Sequence, residues 1–176
     1  IAAEVGFDAL VMGGYSIAAS RLGQPDVGYL SMTEMVQAVK CIVDATELPV
    51  FADGDTGYGN ALSVRRTMQE YEKAGAAAVL FEDQVWPKRC GHMVGKQVID
   101  ASEHAKKLRA AADARTDEDF LLIARTDARA VNGLEDAVER GKLYLDNGKV
   151  TFAPVQEGYK EGLKYLKQLY LSLIHI

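Results

Sequence analysis

Four short stretches hold the residues that could do chemistry: Asp53-Gly54-Asp55, Glu82-Asp83, Arg125-Thr126-Asp127, and the run from Pro87 to Met93, PKRCGHM. The first is a carboxylate pair at i, i+2 followed by Thr-Gly-Tyr-Gly. Carboxylate oxygens with room for water suit Mg²⁺, which keeps several waters and takes one or two protein carboxylates. A lone D-x-D is more often turn chemistry, because Asp hydrogen-bonds nearby amides in loops. Glu82-Asp83 shifts that balance, since four acids gathered in one place repel unless a cation lies among them. Arg125 sits in an otherwise apolar stretch, where its charge demands an anion. Glu82 or Asp127 could serve as a structural partner, or the guanidinium could hold a substrate carboxylate bidentately; both readings stand.

Cys90 follows Lys88 and Arg89 and precedes His92 by two positions. Those neighbours favour a thiolate, and so a cysteine that gives and takes protons. One Cys and one His at i, i+2 do not make a zinc site. The segment Val85 to Lys96 carries Pro87, Gly91 and Gly95, is long for a connection, and suits a mobile lid. Gly13 and Gly14 form a turn able to offer backbone N–H groups to an anion. Asp26, in LGQPD, is a further acid for which a helix-cap role is the alternative.

Positioning these groups falls to an alternation of apolar runs and amphipathic stretches. DALVMGG, PVFADGDTG, AAAVLFEDQ, FLLIARTDA and VTFAPV read as strands. Between them, SMTEMVQAVKCIVDAT opens with an S-x-x-E capping box at Ser31 and Glu34. NALSVRRTMQEYEKAG has Asn60 as N-cap and Gly75 as stop. ASEHAKKLRAAADAR starts after Asp100, and GLEDAVERGKLYLDNG completes the helices. The repeat of roughly 30–40 residues matches β-α units. Strands apolar throughout are expected to be buried on both faces of a parallel sheet. A doubly wound sheet and a (β/α)8 TIM barrel both fit. GYGNAL lacks the third glycine of a dinucleotide fingerprint. The barrel is favoured because acids and bases end several strands, and barrel strand ends converge on one mouth.

Bulk composition narrows the function classes. The 176 residues carry a net charge of −5, with 48% hydrophobic and 26% charged residues. An acidic balance argues against nucleic acid or anionic lipid as partner, and no apolar run reaches the ~18 residues of a membrane span. The two cysteines, Cys41 mid-helix among apolar neighbours and Cys90, make no disulfide framework, which points to the cytoplasm. The opening IAAEVGFDAL reads as a helix tail running into a strand. Residues 1–170 read as one partial barrel domain and 171–176 as a non-native tail.

DGDTGYGN, FEDQVWPKRCGH and ARTDA, with their spacing, resemble the isocitrate lyase/phosphoenolpyruvate mutase superfamily over nearly the whole chain to about Gly148. The resemblance implies an incomplete (β/α)8 barrel, about strands two to six, from a homotetramer that binds Mg²⁺, or Mn²⁺ in its place, and a small carboxylate. It assigns Asp53, Asp55, Glu82 and Asp26 to the metal, and Gly13, Gly14, Tyr15 and Gly91 to substrate. Arg125 contacts substrate, and Cys90, with His92 beside it, is the lid's acid/base. A cysteine here implies carbon–carbon lyase chemistry on a 2-hydroxy di- or tricarboxylic acid. Methylisocitrate lyases usually continue K-R-C-G-H with R-P-N-K. The MVGK found here moves the resemblance toward the dimethylmalate lyase or oxaloacetate hydrolase branch. Oxaloacetate hydrolysis, phosphonopyruvate chemistry, or an inactive fragment that only binds metal or acid are the alternatives. The segment NGKVTFAPVQ departs from the family pattern, and the chain alone is expected to be inactive.

Overall fold

In the computed structural model, which describes residues 1–146 and the backbone of 151–154, four β-α units and a fifth strand follow one another without reversal. The strands are β1 (Leu10–Met12), β2 (Val50–Asp53), β3 (Ala78–Glu82), β4 (Leu121–Thr126) and β5 (Thr151–Pro154). They form one sheet in the order β1-β2-β3-β4-β5, every pairing parallel. A doubly wound sheet reverses its strand order at a switch point, whereas barrel strands are laid down in sequence. The fold is therefore an α/β, incomplete TIM barrel.

The helices form where their caps place them. In α2 (Met32–Val43), the Ser31 side chain accepts from the Glu34 amide while Glu34 reaches back to the Ser31 amide. Asn60 caps α3 (Ala61–Lys73) and Asp100 caps α4 (Ala101–Ala114), both as expected. Gly75, at φ +86°, ends the α3 segment in a conformation that glycine adopts freely. Two helices were not legible. The stretch expected as loop after β1 forms α1 (Gly14–Leu22), which lacks a capping side chain and buries only Gly14, Ile17 and Ala18. A single turn, α5 (Ala128–Val131), precedes α6 (Leu134–Asp146). The first residues form turns rather than a helix tail. Cys41 lies on the exposed side of α2, because Met35, Ala38 and Val39 take the buried face.

The sheet's two faces differ, against the expectation of burial on both. Met12, Val50, Ala52, Val79, Phe81, Leu122 and Ala124 face the helices and are buried. The alternate residues Val11, Phe51, Leu80 and Ile123 line the concave face. Val11 there is 81% exposed, because among the described residues no strand closes the sheet. The proposed tail, 171–176, and most of the altered segment after Asp146 lie outside the described residues.

Behind the sheet, Asp83 joins three elements. Its carboxylate accepts from Thr126 Oγ1 (2.6 Å), the Asp127 amide (2.9 Å), Tyr144 Oη (2.9 Å) and Arg140 Nη1 (3.2 Å). Beside it His104, fully buried, stacks edge-on against Tyr144 with ring centroids 4.9 Å apart. Neither ring nitrogen has a partner in hydrogen-bond geometry. Burial first, then the charges of Lys107 and Arg140, press its pKa down to about 3; the Phe81 backbone pulls weakly the other way.

A neutral buried imidazole makes acid destabilising. The unfolded chain binds a proton near pH 6.5 that the folded chain refuses until about 3, so stability falls as pH drops through that window. His104→Phe, which keeps the contact with Tyr144, is expected to remove this contribution. Urea unfolding of both proteins at pH 6.5 and 5 should show the wild type losing roughly 1.5 kcal/mol more than the variant. Equal losses would mean that His104 is charged in the folded state.

Candidate active site

The mouth is built first by the turn after β2. Asp53 ends the strand on the concave face. Its Oδ1 accepts from the Asp55 amide (2.9 Å) and its Oδ2 from the Gly14 amide (3.1 Å), so the first residue of α1 is tied to β2. Gly54 between the two acids has no room for a side chain, since a Cβ would lie 2.6 Å from the Phe81 ring. Asp55 and Tyr58 both adopt left-handed backbone, at φ +49° and +59°. Non-glycine residues take that conformation at a cost, and it persists where the surroundings over-determine it. Here Tyr58 Oη donates to Asp55 Oδ2 (3.1 Å) and lies 3.3 Å from Tyr71 Oη, which donates to the Asp53 carbonyl (2.9 Å).

Lys88 occupies the centre. Its Nζ lies 2.6 Å from Asp26 Oδ1 and 2.7 Å from Asp55 Oδ1, with all three side chains buried. Gly14 lets this cluster approach, because a Cβ there would fall 3.1 Å from the ammonium and 3.2 Å from the Asp26 carboxylate. Burial, then the charge of Asp53, pushes the Asp55 pKa up to about 7 against the pull of Lys88. Burial disfavours the Lys88 charge, but Asp55, Asp53 and Glu82 outweigh it and raise its pKa above the usual lysine value.

A second ionic group completes the rim. Arg125 pairs with Glu82 (3.1 Å) and with Asp127 (3.0 Å), so both structural partners weighed from the sequence are used at once. β3 and β4 place Glu82 and Arg125 side by side in register. Burial raises the Glu82 pKa well above the ordinary value, and the Arg125 charge opposes that rise. Lys96 Nζ bridges Asp127 Oδ1 and the Gly91 carbonyl, each at 2.8 Å.

The 85–96 segment folds down over this rim. The Gln84 side chain holds Arg89 at both backbone groups, accepting from its amide (3.0 Å) and donating to its carbonyl (2.9 Å). The Cys90 amide donates to the Asp26 carbonyl (2.9 Å), which brings the two distant loops together. Cys90 itself is half-buried. The expected ring of cations around its thiol is not assembled as read. Lys88 is drawn inward by two carboxylates, Arg89 Nη1 reaches the Val94 carbonyl (3.4 Å), and His92 is exposed. The Tyr15 side chain is 65% exposed, so what that position brings to the mouth is its place in the first turn of α1. Asp83 is corrected outright: it faces Arg140 and Tyr144 behind the sheet, and Asp26 takes its place among the four acids. Sequence reasoning also missed Lys88, Tyr58, Tyr71, Gln84 and Lys96. The crowding of acids was the one signal that asked for Lys88.

The donor set suits a hard divalent cation. It consists of carboxylate oxygens, and Asp55 Oδ1 is buried without a hydrogen bond, facing only the Lys88 ammonium. Among the described residues no three His, Cys, Asp or Glu side chains already converge as ligands. A site in which waters complete the shell around Asp53 is the arrangement these residues allow.

Strands in barrel order carry acids, an arginine and a cysteine loop to one mouth. The chain belongs to the phosphoenolpyruvate phosphomutase family, whose model matches residues 1–169, within the isocitrate lyase/phosphoenolpyruvate mutase superfamily. It is 52% identical over 159 residues to 2,3-dimethylmalate lyase of Eubacterium barkeri, covering 90% of this chain and 55% of that protein. Oxaloacetate acetylhydrolase, solved with the inhibitor 3,3-difluorooxalacetate, superposes with a TM-score of 0.83 at 38% identity, over 89% of this chain and 55% of that one. Phosphonopyruvate hydrolase, solved with oxalate and Mg²⁺, superposes with a TM-score of 0.81 at 32% identity, over 94% and 58%. The chain thus spans about half the length of the relatives it matches.

Removing one partner of a buried ionic group leaves the others uncompensated. Lys88→Met is therefore expected to cost about 3–5 kcal/mol at pH 8, read from urea unfolding. A loss under 1 kcal/mol would show that water already screens Asp26 and Asp55.

Proposed function

We propose that this protein is a Mg²⁺-dependent carbon–carbon lyase that cleaves a small 2-hydroxy di- or tricarboxylic acid by a retro-aldol type reaction. The observation that carries the reading is the hydrogen bond from the Cys90 amide to the Asp26 carbonyl, which ties the cysteine loop to a residue whose carboxylate belongs to the acidic cluster. Asp53, with Asp55, Glu82 and Asp26 acting through water, would hold the metal. When bound, Mg²⁺ supplies Lewis-acid polarisation of the substrate's oxygen.

The remaining steps fall to the chain's own residues. Arg125, with 12% of its side chain exposed beside Glu82 and Asp127, offers its open edge to a substrate carboxylate. The start of α1 at Tyr15, next to the Gly14 amide that Asp53 already takes, adds a positive helix end for anionic groups. As the hydroxyl proton leaves to a base, the carbon–carbon bond breaks, giving an oxo acid and a carbanion beside the second carboxylate. Cys90 delivers a proton to that carbon. The 85–96 segment, with Gly91 fixed by Lys96, keeps bulk water from competing. His92, at the exposed end of the loop, would act only after closure. Cytoplasmic residence and homotetrameric assembly of the whole protein rest on its family membership.

Oxaloacetate hydrolysis is the second reading, favoured by the close superposition on oxaloacetate acetylhydrolase. An assay of the whole protein, with and without Mg²⁺, separates the two. Dimethylmalate, methylisocitrate, citramalate, oxaloacetate and phosphonopyruvate would be supplied in turn. Mg²⁺-dependent release of an oxo acid from a 2-hydroxy acid is expected. Oxalate from oxaloacetate alone would move the protein to the hydrolase reading.

Cys90→Ser is expected to lower lyase turnover by at least about 10²-fold while Mg²⁺ affinity, measured by calorimetry, stays unchanged. Unaltered turnover would remove Cys90 from the mechanism.

A further inference from the structure

A second cavity, of about 520 Å³, lies outside the mouth. It opens between the start of α2, the loop after β2, the Gln84–Trp86 segment and the first half of α4, and none of Asp26, Asp53, Asp55, Glu82, Cys90 or Arg125 lines it. Tyr58, Trp86, Leu30 and Ile99 give it an apolar wall. Trp86 stands edge-on to Tyr58, centroids 6.2 Å apart, and presses against Gly28, where a Cβ would meet its ring at 3.0 Å.

Lys107 lines the same cavity and is only 6% exposed. Its ammonium makes no hydrogen bond or ion pair among the described residues. This sets it apart from the other two buried lysines, Lys88 and Lys96, which each pair with a carboxylate below 3 Å. Burial pulls its pKa below the ordinary lysine value, and the more distant charges of Glu103 and Glu82 only partly offset that. Lys107 lines the cavity without a contact counter-ion, and an anion entering the cavity would supply one. The wall fixes the rest of the ligand, because Trp86 and Tyr58 offer ring surface to carbon rather than donors to a phosphate. Glu103 also lines the cavity, so a single negative charge matches Lys107 better than two.

We propose that this cavity is a binding site for a small organic monocarboxylate, its carboxylate on Lys107 and its carbon body against Trp86 and Tyr58. The site is separate from the acidic mouth, and the proposal does not depend on the lyase reading.

Trp86 is the chain's one tryptophan, so its emission reports on the cavity wall directly. The full chain would be titrated with butanoate, with butylammonium and inorganic phosphate as controls. A saturable change with butanoate is expected, absent with butylammonium and at least tenfold weaker with phosphate. Lys107→Met should weaken butanoate binding at least tenfold, Lys107→Arg should retain it, and Glu103→Gln should tighten it about threefold, as expected for removing one nearby opposing charge. Should the Met variant fail to fold, the Arg and Gln variants still decide. No saturable change in the wild type, equal affinity in the Met variant, or no tightening in the Gln variant would overturn the proposal.

Discussion

The Lys88 ammonium, lodged between Asp26 and Asp55, is the contact on which the rest of the mouth depends. Two carboxylates from different loops cannot be buried together without a cation, because their repulsion adds to the loss of water. Lys88 supplies that cation at 2.6 and 2.7 Å, and in doing so it fixes three chain segments at once: the loop after α1, the turn after β2, and the segment after β3. The Cys90 amide reaches the Asp26 carbonyl two residues after Lys88, with Arg89 between them held by Gln84. The position of the cysteine is thus tied both to the Gln84 side chain and to the charge neutralisation deeper in the site.

The backbone around Asp55 shows the same dependence. A left-handed Asp55 and a left-handed Tyr58 within four residues are individually unfavourable. They persist because Tyr58 and Tyr71 bond the turn from one side and Lys88 holds Asp55 from the other. Gly54 contributes by being small, allowing the turn to lie against the Phe81 ring. The strain and the ionic cluster support one another. This is why the carboxylates stand in a fixed arrangement.

Much of this was legible in the sequence, and the parts that were not have a common cause. Ser31 with Glu34, Asn60, Asp100 and Gly75 act through neighbours three or four residues away, so their roles can be read from local pattern. Apolar runs ending in Asp53, Glu82 and Arg125 likewise announced strands whose ends meet. What the pattern does not carry is direction across the fold. Asp83 follows Glu82 immediately, yet alternation along the strand turns it to the opposite side, where Arg140 and Tyr144, about sixty residues on, receive it. Lys88 looked like a neighbour of Cys90 because it is one in sequence; in space it belongs to Asp26 and Asp55. α1 was missed because it has neither a cap nor a strong apolar stripe, and it is held instead by the Gly14 amide on Asp53.

The two ionic groups of the rim also differ in what they leave available. Around Lys88 every charge is buried, so the cluster is a foundation rather than an open receptor. Arg125 satisfies Glu82 and Asp127 with part of its guanidinium while keeping some of its side chain at the surface of the concave face. A planar five-donor group can serve two carboxylates and still offer an edge to a third, which an ammonium of three donors already shared between two acids does less well. That difference places the buried lysine in the architecture of the mouth and the half-buried arginine at its surface.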